Sequence, residues 1–175
     1  GQGVGASGAA DRGALGRANR AVGNPPGTAA LEITLGPVRL RAETALTLAL
    51  AGAGQAVAAG HPVPPGAAFA LDAGDELTIA APARGMRSYL ALRGGFAVAP
   101  VLGACARDTL AGIGPAPLVA GDALAPAGAP AEATRPPEPQ PDLPAPGETL
   151  AQPGGQGPRT PRVPPATGAR VRAPA

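Results

Sequence analysis

The stretch Ser7-Gly8-Ala9-Ala10-Asp11 leads straight into Arg12-Gly13-Ala14-Leu15, where apolar residues begin to recur at helical spacing. A loop that enters a helix presents backbone N–H groups with no partner in the preceding turn. Such groups suit a carboxylate or a carbonyl oxyanion. The Ser7 hydroxyl and the Asp11 carboxylate sit in this loop and are the candidate catalytic groups. Asp11 is placed to hold a substrate amine or to orient a partner group. Both residues are also ordinary helix N-caps, and an acidic group favours a helix start, so on physical grounds alone capping is the favoured account of them.

Other chemistry is poorly supplied. His61 is the only histidine and falls in Gly60-His61-Pro62, read as a loop between strands. A general base needs a nucleophile within hydrogen-bond reach, and no Gly-x-Ser-x-Gly elbow is present. Cys105 is the only cysteine. It reads as a buried structural thiol, and alone it rules out an internal disulfide. One His and one Cys without clustered carboxylates do not build a usual zinc site. Gly1-Gln2-Gly3-Val4-Gly5 is rejected as a phosphate loop, because no Gly-Lys-Ser/Thr exists and no strand precedes it.

The elements that must carry the loop follow from periodicity. Asp11 to Val22 places Leu15, Ala18 and Val22 on one helical face. Gly13 and Gly16 weaken this helix by up to about 1 kcal/mol each, so it must lean on something. Gly23-Asn24-Pro25-Pro26 ends it. The period then switches to two. Strands are read at 30–35, 38–40, 46–50, 67–71, 76–80 and 87–92, with a short extended piece within 117–124. Asp72-Ala73-Gly74-Asp75 reads as a hairpin turn. Short strands at near-regular spacing with one helix predict a mainly β barrel or sandwich, covered by that helix.

The bulk composition bounds the rest. The chain has 175 residues and a net charge of +2, and all fourteen basic residues are Arg. That charge is spread without a basic stripe. Only Phe69, Tyr89 and Phe96 are aromatic, so nucleic-acid binding is not expected. No run of about 18 apolar residues appears, so no membrane span is expected. No basic flank followed by an apolar segment opens the chain, and the single cysteine fits a reducing compartment. A cytoplasmic location follows as the expectation. Fourteen of the twenty-four prolines lie in 126–175. That stretch has no period of 2 or 3.6 and is read as a disordered Pro/Arg-rich tail after a domain at 1–125.

The ordered blocks of small residues resemble a known family. Ser7-Gly8-Ala9-Ala10-Asp11, Ala14-Leu15, Ala18-Asn19, Val22-Gly23-Asn24 and Ala30-Leu31-Glu32 are similar to its SGAMD…AL..AN..VGN…ALE signature. Leu50-Ala51-Gly52-Ala53, Pro62-Val63-Pro64, Ala73-Gly74-Asp75-Glu76-Leu77, Gly85-Met86-Arg87-Ser88-Tyr89-Leu90-Ala91, Gly94-Gly95-Phe96, Val101-Leu102-Gly103 and Ala120-Gly121-Asp122 continue it in order. This is the biotin-dependent carboxyltransferase family, also called allophanate hydrolase subunit 2 or KipA, whose members include the C subunit of 5-oxoprolinase. The resemblance covers about residues 1–125. It implies a cyclophilin-like β-barrel subdomain and a complex with subunits A and B (the latter KipI-like). That complex uses ATP to open the lactam of 5-oxoproline to glutamate. A related branch transfers carboxyl from biotin to an amide nitrogen. Both chemistries activate an amide and stabilise charge on its oxygen. Under this resemblance Ser7 and Asp11 are catalytic, and Asn19 and Asn24 bind substrate or support the amide site.

Departures from the pattern matter. The family threonine of the LTGA block is Ala51 here, and the methionine of SGAMD is Ala10. The Ser, Arg and Ser of a GSRST-type block are Ala104, Cys105 and Ala106. A first strand before Gly1 and a second subdomain after the Pro-rich stretch are expected from the family and are not found. The chain therefore reads as the N-terminal subdomain of a truncated or frameshifted member. The alternative is an inactive fragment that acts at most as a subunit-binding scaffold.

Overall fold

The computed structural model describes residues 8–129, 131–141 and, by backbone alone, 168–171. Helix α1 (Arg12–Ala21) comes first. The strands that follow are β1 (Ala30–Thr34), β2 (Val38–Arg41), β3 (Leu46–Gly52), β4 (Ala56–Ala58), β5 (His61–Val63), β6 (Ala68–Leu71), β7 (Glu76–Ile79), β8 (Arg87–Leu92) and β9 (Gly168–Val171). They form two sheets, one in the order β6-β3-β8-β1-β9 and one in the order β2-β7-β4-β5. Every pairing is antiparallel except β1 with β9, which is parallel. The expected mainly β architecture with one short N-terminal helix is what the chain adopts.

The period of two decides which face does what. Leu31 and Ile33 of β1, Leu48 and Leu50 of β3, and Leu90 and Leu92 of β8 point between the sheets. There they meet Val38, Leu71, Leu77 and Ile79. With Glu32 and Tyr89 as the large exceptions, most of the alternate positions are small: Ala30, Ala49, Ala51 and Ala91. They pack with Ala14, Leu15, Ala18, Ala21 and Val22 of α1 and its cap. Alanine on both sides lets helix and sheet approach closely, although each methyl contributes less than a buried leucine. This packing supplies the support that a helix with two glycines requires.

Some short-range expectations were displaced by tertiary pairing. The Asp72–Asp75 turn is tight, with the Asp75 N–H donating to the Asp72 carbonyl at 3.1 Å. It is no hairpin, because β6 pairs with β3 in one sheet and β7 pairs with β2 and β4 in the other. His61, expected in a loop, lies in strand β5. The β4–β5 hairpin turns on Ala59 (φ 46°) and Gly60 (φ 82°), two positive φ values in succession as a type I′ turn needs. Strands of three residues carry too little pattern to register as alternation. Pro62 is tolerated because β5 is the edge of its sheet. Around Asp122 the chain makes a turn and not a strand, closed by the Val119 N–H donating to Asp122 Oδ2 at 2.8 Å.

The Pro-rich stretch also differs from expectation where it is described. Residues 131–141 run antiparallel to α1, from its C-terminal end toward its start. The Glu132 N–H donates to the Gly23 carbonyl at 2.8 Å, and the Arg135 N–H donates to the Ala21 carbonyl at 3.0 Å. Arg20 grips Glu138 through Nε and Nη2 at 2.6 and 2.7 Å. A segment with few N–H donors and no periodicity can still dock when a helix end offers it free carbonyls. The rest of the expected tail, 130, 142–167 and 172–175, lies outside the described residues.

Candidate functional site

Asp11 is the N-cap of α1. Its backbone is extended (φ −116°, ψ 93°), and its Oδ1 accepts from the Ala14 N–H at 2.8 Å. Behind the preceding loop stands a buried polar cluster drawn from β1 and β8. Glu32 faces the helix side of β1 and lies directly opposite Tyr89 on β8. The Tyr89 hydroxyl donates to Glu32 Oε2 at 2.9 Å, and the Ala10 N–H donates to the same oxygen at 3.2 Å. Arg87 pairs with Glu32 Oε1. The Asp11 N–H donates to the Tyr89 oxygen at 2.8 Å. A tyrosine and a glutamate on the sheet therefore fix the loop that begins the helix. The loop was expected to hold spare backbone donors, but those of Ala10 and Asp11 are taken by these acceptors.

A half-open cavity of about 220 Å³ lies beside this cluster. Ala10, Asp11, Arg17, Gly52, Arg87 and Gln140 contribute to its wall. Gly52 ends β3 at φ +106°, where a Cβ would stand 2.5 Å from the Arg87 carbonyl oxygen. Only glycine fits there, and its N–H is left to donate to Gln140 Oε1 at 3.1 Å. Ala51, where the resemblance has threonine, lies opposite Tyr89 and is buried.

Of the four residues singled out from the sequence, Asp11 lines the cavity, and Ser7 lies outside the described residues. Asn19 and Asn24 come together, but at the other end of α1, about 12 Å from Asp11 along the axis at 1.5 Å per residue. Both are buried. Asn19 Nδ2 donates to the Thr28 carbonyl at 2.8 Å. Asn24 Nδ2 donates to the Leu92 carbonyl at 2.7 Å and to Asn19 Oδ1 at 3.1 Å, while Asn24 Oδ1 accepts from the Gly94 N–H at 2.9 Å. They tie the helix exit to the end of β8. Sequence reasoning passed over Glu32, Arg87, Tyr89, Arg17 and Gln140. A signal existed for Glu32: it is the one charged residue of β1, set between the apolar Leu31 and Ile33.

Cys105 is buried, and its Sγ–H points to the Val98 carbonyl at 3.5 Å; burial pushes the thiol pKa up. Among the described residues no group of three or more metal-ligating side chains occurs. Among them, too, no helix is long and apolar enough to cross a membrane.

Burial, with a smaller opposing effect of the Asp11 N–H and further help from the Glu32 carboxylate, raises the Tyr89 pKa well above its ordinary 10.0. The phenol is therefore un-ionised and able to donate to Glu32. Because the folded value lies above the unfolded one, this contribution to stability is full below pH 10 and is lost as pH rises beyond it. Cys105 acts with the same sign from its ordinary 9.0. Tyr89 is the only tyrosine, so tyrosinate absorbance reports it alone. The folded chain should show no tyrosinate at pH 10 and should gain it together with unfolding at higher pH. Half-ionisation near pH 10 in the folded state would contradict the buried hydrogen-bonded placement.

The family model for the carboxyltransferase domain, subdomains A and B, matches residues 2–169, so the match runs on into the Pro-rich stretch. The 5-oxoprolinase C subunit of Escherichia coli (strain K12) is 45% identical over 113 residues, which is 64% of this chain and 36% of that protein. The crystal structure of TTHA0988 superposes with a TM-score of 0.70 at 36% identity, covering 77% of this chain and 27% of that one. The Kluyveromyces lactis urea carboxylase gives a TM-score of 0.52 at 30% identity, covering 54% of this chain and 8% of that one. The chain thus spans about a third of the curated relative it matches. With its model matched over almost the whole length and its mainly β fold shared with these structures, the chain belongs to the carboxyltransferase-domain family of subdomains A and B.

Proposed function

We propose that this chain forms part of a subunit of a cytoplasmic ATP-dependent amide or lactam hydrolase of the 5-oxoprolinase type, which converts 5-oxoproline to glutamate. The observation that carries the reading is the cavity at the start of α1, with the Asp11 carboxylate and the Arg17 guanidinium on its wall. In lactam opening, water adds to the carbonyl carbon, the C–N bond breaks, and the nitrogen takes a proton. Asp11 accepts the proton of that water as general base. Ser7, four residues before it, is proposed to act with it. Asn19 and Asn24 support the site by fixing where α1 ends.

The cavity is smaller than the roughly 300–1,000 Å³ of drug-sized sites, so it suits a small ring and not a nucleoside triphosphate. The chain also has no lysine and no phosphate loop. These residues do not fit ATP. ATP, and biotin in the carboxyltransferase branch, are proposed as cofactors of the whole assembly, with subunits A and B as partners.

The test mixes the full chain with cognate subunits A and B, ATP and 5-oxoproline, and measures glutamate. Release is expected, falling by about 100-fold or more in Asp11→Asn if the carboxylate is the base. No release, with both subunits bound, would overturn the reading. That result would instead establish a scaffold without activity. One observation favours the scaffold: Ala104, Cys105 and Ala106 are buried and bring no hydroxyl or guanidinium where the family places Ser, Arg and Ser.

A further inference from the structure

The docked Pro-rich segment is held in two different ways along its length. Its first part is rooted by the backbone. The Glu132 and Arg135 N–H groups donate to the Gly23 and Ala21 carbonyls at the end of α1. The Arg93 guanidinium donates to the carbonyls of Ala131 and Glu132. Gly23 makes room for this contact: at its φ of +78°, a Cβ would stand 2.2 Å from the Glu132 carbonyl oxygen. Beyond Arg135 the bonding changes. Pro136, Pro137, Pro139 and Pro141 have no N–H to give, and among the described residues no backbone–backbone hydrogen bond ties 136–141 to the rest of the chain. Two side chains hold that part instead. Glu138 takes two bonds from Arg20, and Gln140 Oε1 accepts from the Gly52 N–H at 3.1 Å. The ion pair lies at the surface, with its side chains 31% and 38% exposed, so its contribution is small and screened by salt.

This closed position also carries a penalty. Arg17 Nε and Gln140 Nε2 are buried without a hydrogen-bond partner among the described residues. Turning the Gln140 amide over gives no relief, because it would set donor against donor at Gly52. Arg17 lies beside the same part of the segment: the hydrogen bonds from Arg20, and then the charges of Arg20 and Arg17, hold the Glu138 carboxyl below its usual range. Buried donors without partners favour any arrangement in which water reaches them. Gln140 and Pro141 also form part of the wall of the cavity at the start of α1.

We infer that 136–141 is a movable wall of that cavity, hinged between Arg135 and Pro136 and latched by Arg20–Glu138 and Gln140–Gly52. Closed, it bounds the cavity with Gln140 and Pro141. Swung out, it lets water reach Arg17 Nε and Gln140 Nε2 and opens the cavity on the side it covered, while the root at 131–135 stays on α1. A weak latch and two unpaired donors keep the two positions close in free energy, as local opening requires. The inference adds an entrance to the reading of this cavity as the substrate site, and it rests on that reading only for what enters.

Three amides read the motion. The Gly52 N–H answers to Gln140, the Ala53 N–H donates to the Arg87 carbonyl at 2.9 Å, and the Arg135 N–H belongs to the root. Their hydrogen exchange is measured on the full chain at low salt and at 1 M salt, and in Glu138→Gln and Gln140→Ala. In the natural chain Gly52 should exchange at least about 10-fold faster than Ala53 and Arg135. Glu138→Gln and 1 M salt should each speed Gly52 by about 3-fold or more relative to the other two. Gln140→Ala, which removes the acceptor itself, should release Gly52 further still. Exchange of Gly52 in step with Ala53 and Arg135, unmoved by salt and by both substitutions, would make 136–141 a fixed part of the fold and overturn the hinge. A rise at all three amides together would place the opening in the root or in the whole fold, and would overturn it too. No ligand enters this experiment, so its failure leaves the lactam-hydrolase reading standing, and a complete assembly that releases no glutamate leaves the movable wall standing.

Discussion

Replacing Glu32 with alanine should lower the stability of the fold by about 3 kcal/mol. The size follows from burial. An ion pair between exposed groups is worth at most about 1 kcal/mol, but the Glu32 side chain is only 3% exposed. It accepts from the Tyr89 hydroxyl and the Ala10 N–H and pairs with Arg87. Its removal leaves a buried hydroxyl and a partly buried guanidinium without their acceptor, and a cavity where the side chain had been. A domain of this kind has about 5–15 kcal/mol in total. A core built so largely from alanine belongs nearer the lower end, so the loss is a large share. Denaturant unfolding checks it. The expected result is a clearly lowered midpoint with unchanged slope; a midpoint equal to that of the natural chain would show that the carboxylate is not buried as described.

Tyr89→Phe is the second large effect, at about 2 kcal/mol. The ring stays, so the packing against α1 stays. Two hydrogen bonds go: the one donated to Glu32 and the one accepted from the Asp11 N–H. Glu32 keeps Arg87, which is why the cost is lower than for Glu32→Ala. The local consequence is greater than the global one, because the Asp11 N–H then has no partner and the loop before α1 loses its anchor to the sheet. Thermal unfolding measures the first effect. A variant as stable as the parent would mean that the hydroxyl does no work here.

The architecture was legible wherever one residue type repeated with a period. Leu48 and Leu50 alternating with Ala49 and Ala51 announce a strand with two unlike apolar faces, and the structure uses one face for the core and the other for α1. Leu15, Ala18 and Val22 likewise mark the helix face, and all three are buried. What stayed hidden depends on contacts distant in sequence. Tyr89 lies 78 residues from the Asp11 N–H it accepts from, and nothing local says that an aromatic hydroxyl will serve a helix start. Gln140 lies 88 residues from Gly52 in a stretch whose proline content argues against any fold of its own. For Asn19 and Asn24 the sequence leaves substrate binding and support of the site side by side, since a buried asparagine and a ligand-binding asparagine look the same there. In the structure they hold the carbonyls of Thr28 and Leu92 and the N–H of Gly94, contacts that no local pattern announces.

One piece of geometry underlies the proposed site: the loop before α1 is pinned to the sheet by Tyr89 and Glu32, and Asp11 lines the cavity beside it. Amide hydrogen exchange at Ala10 and Asp11, in the natural chain and in Tyr89→Phe, reads it directly. Both amides should be protected in the natural chain although the loop lies at the surface, and Asp11 should lose its protection in the variant while β3 keeps its own. Exchange of Ala10 and Asp11 at the rate of an open loop in the natural chain would contradict this placement.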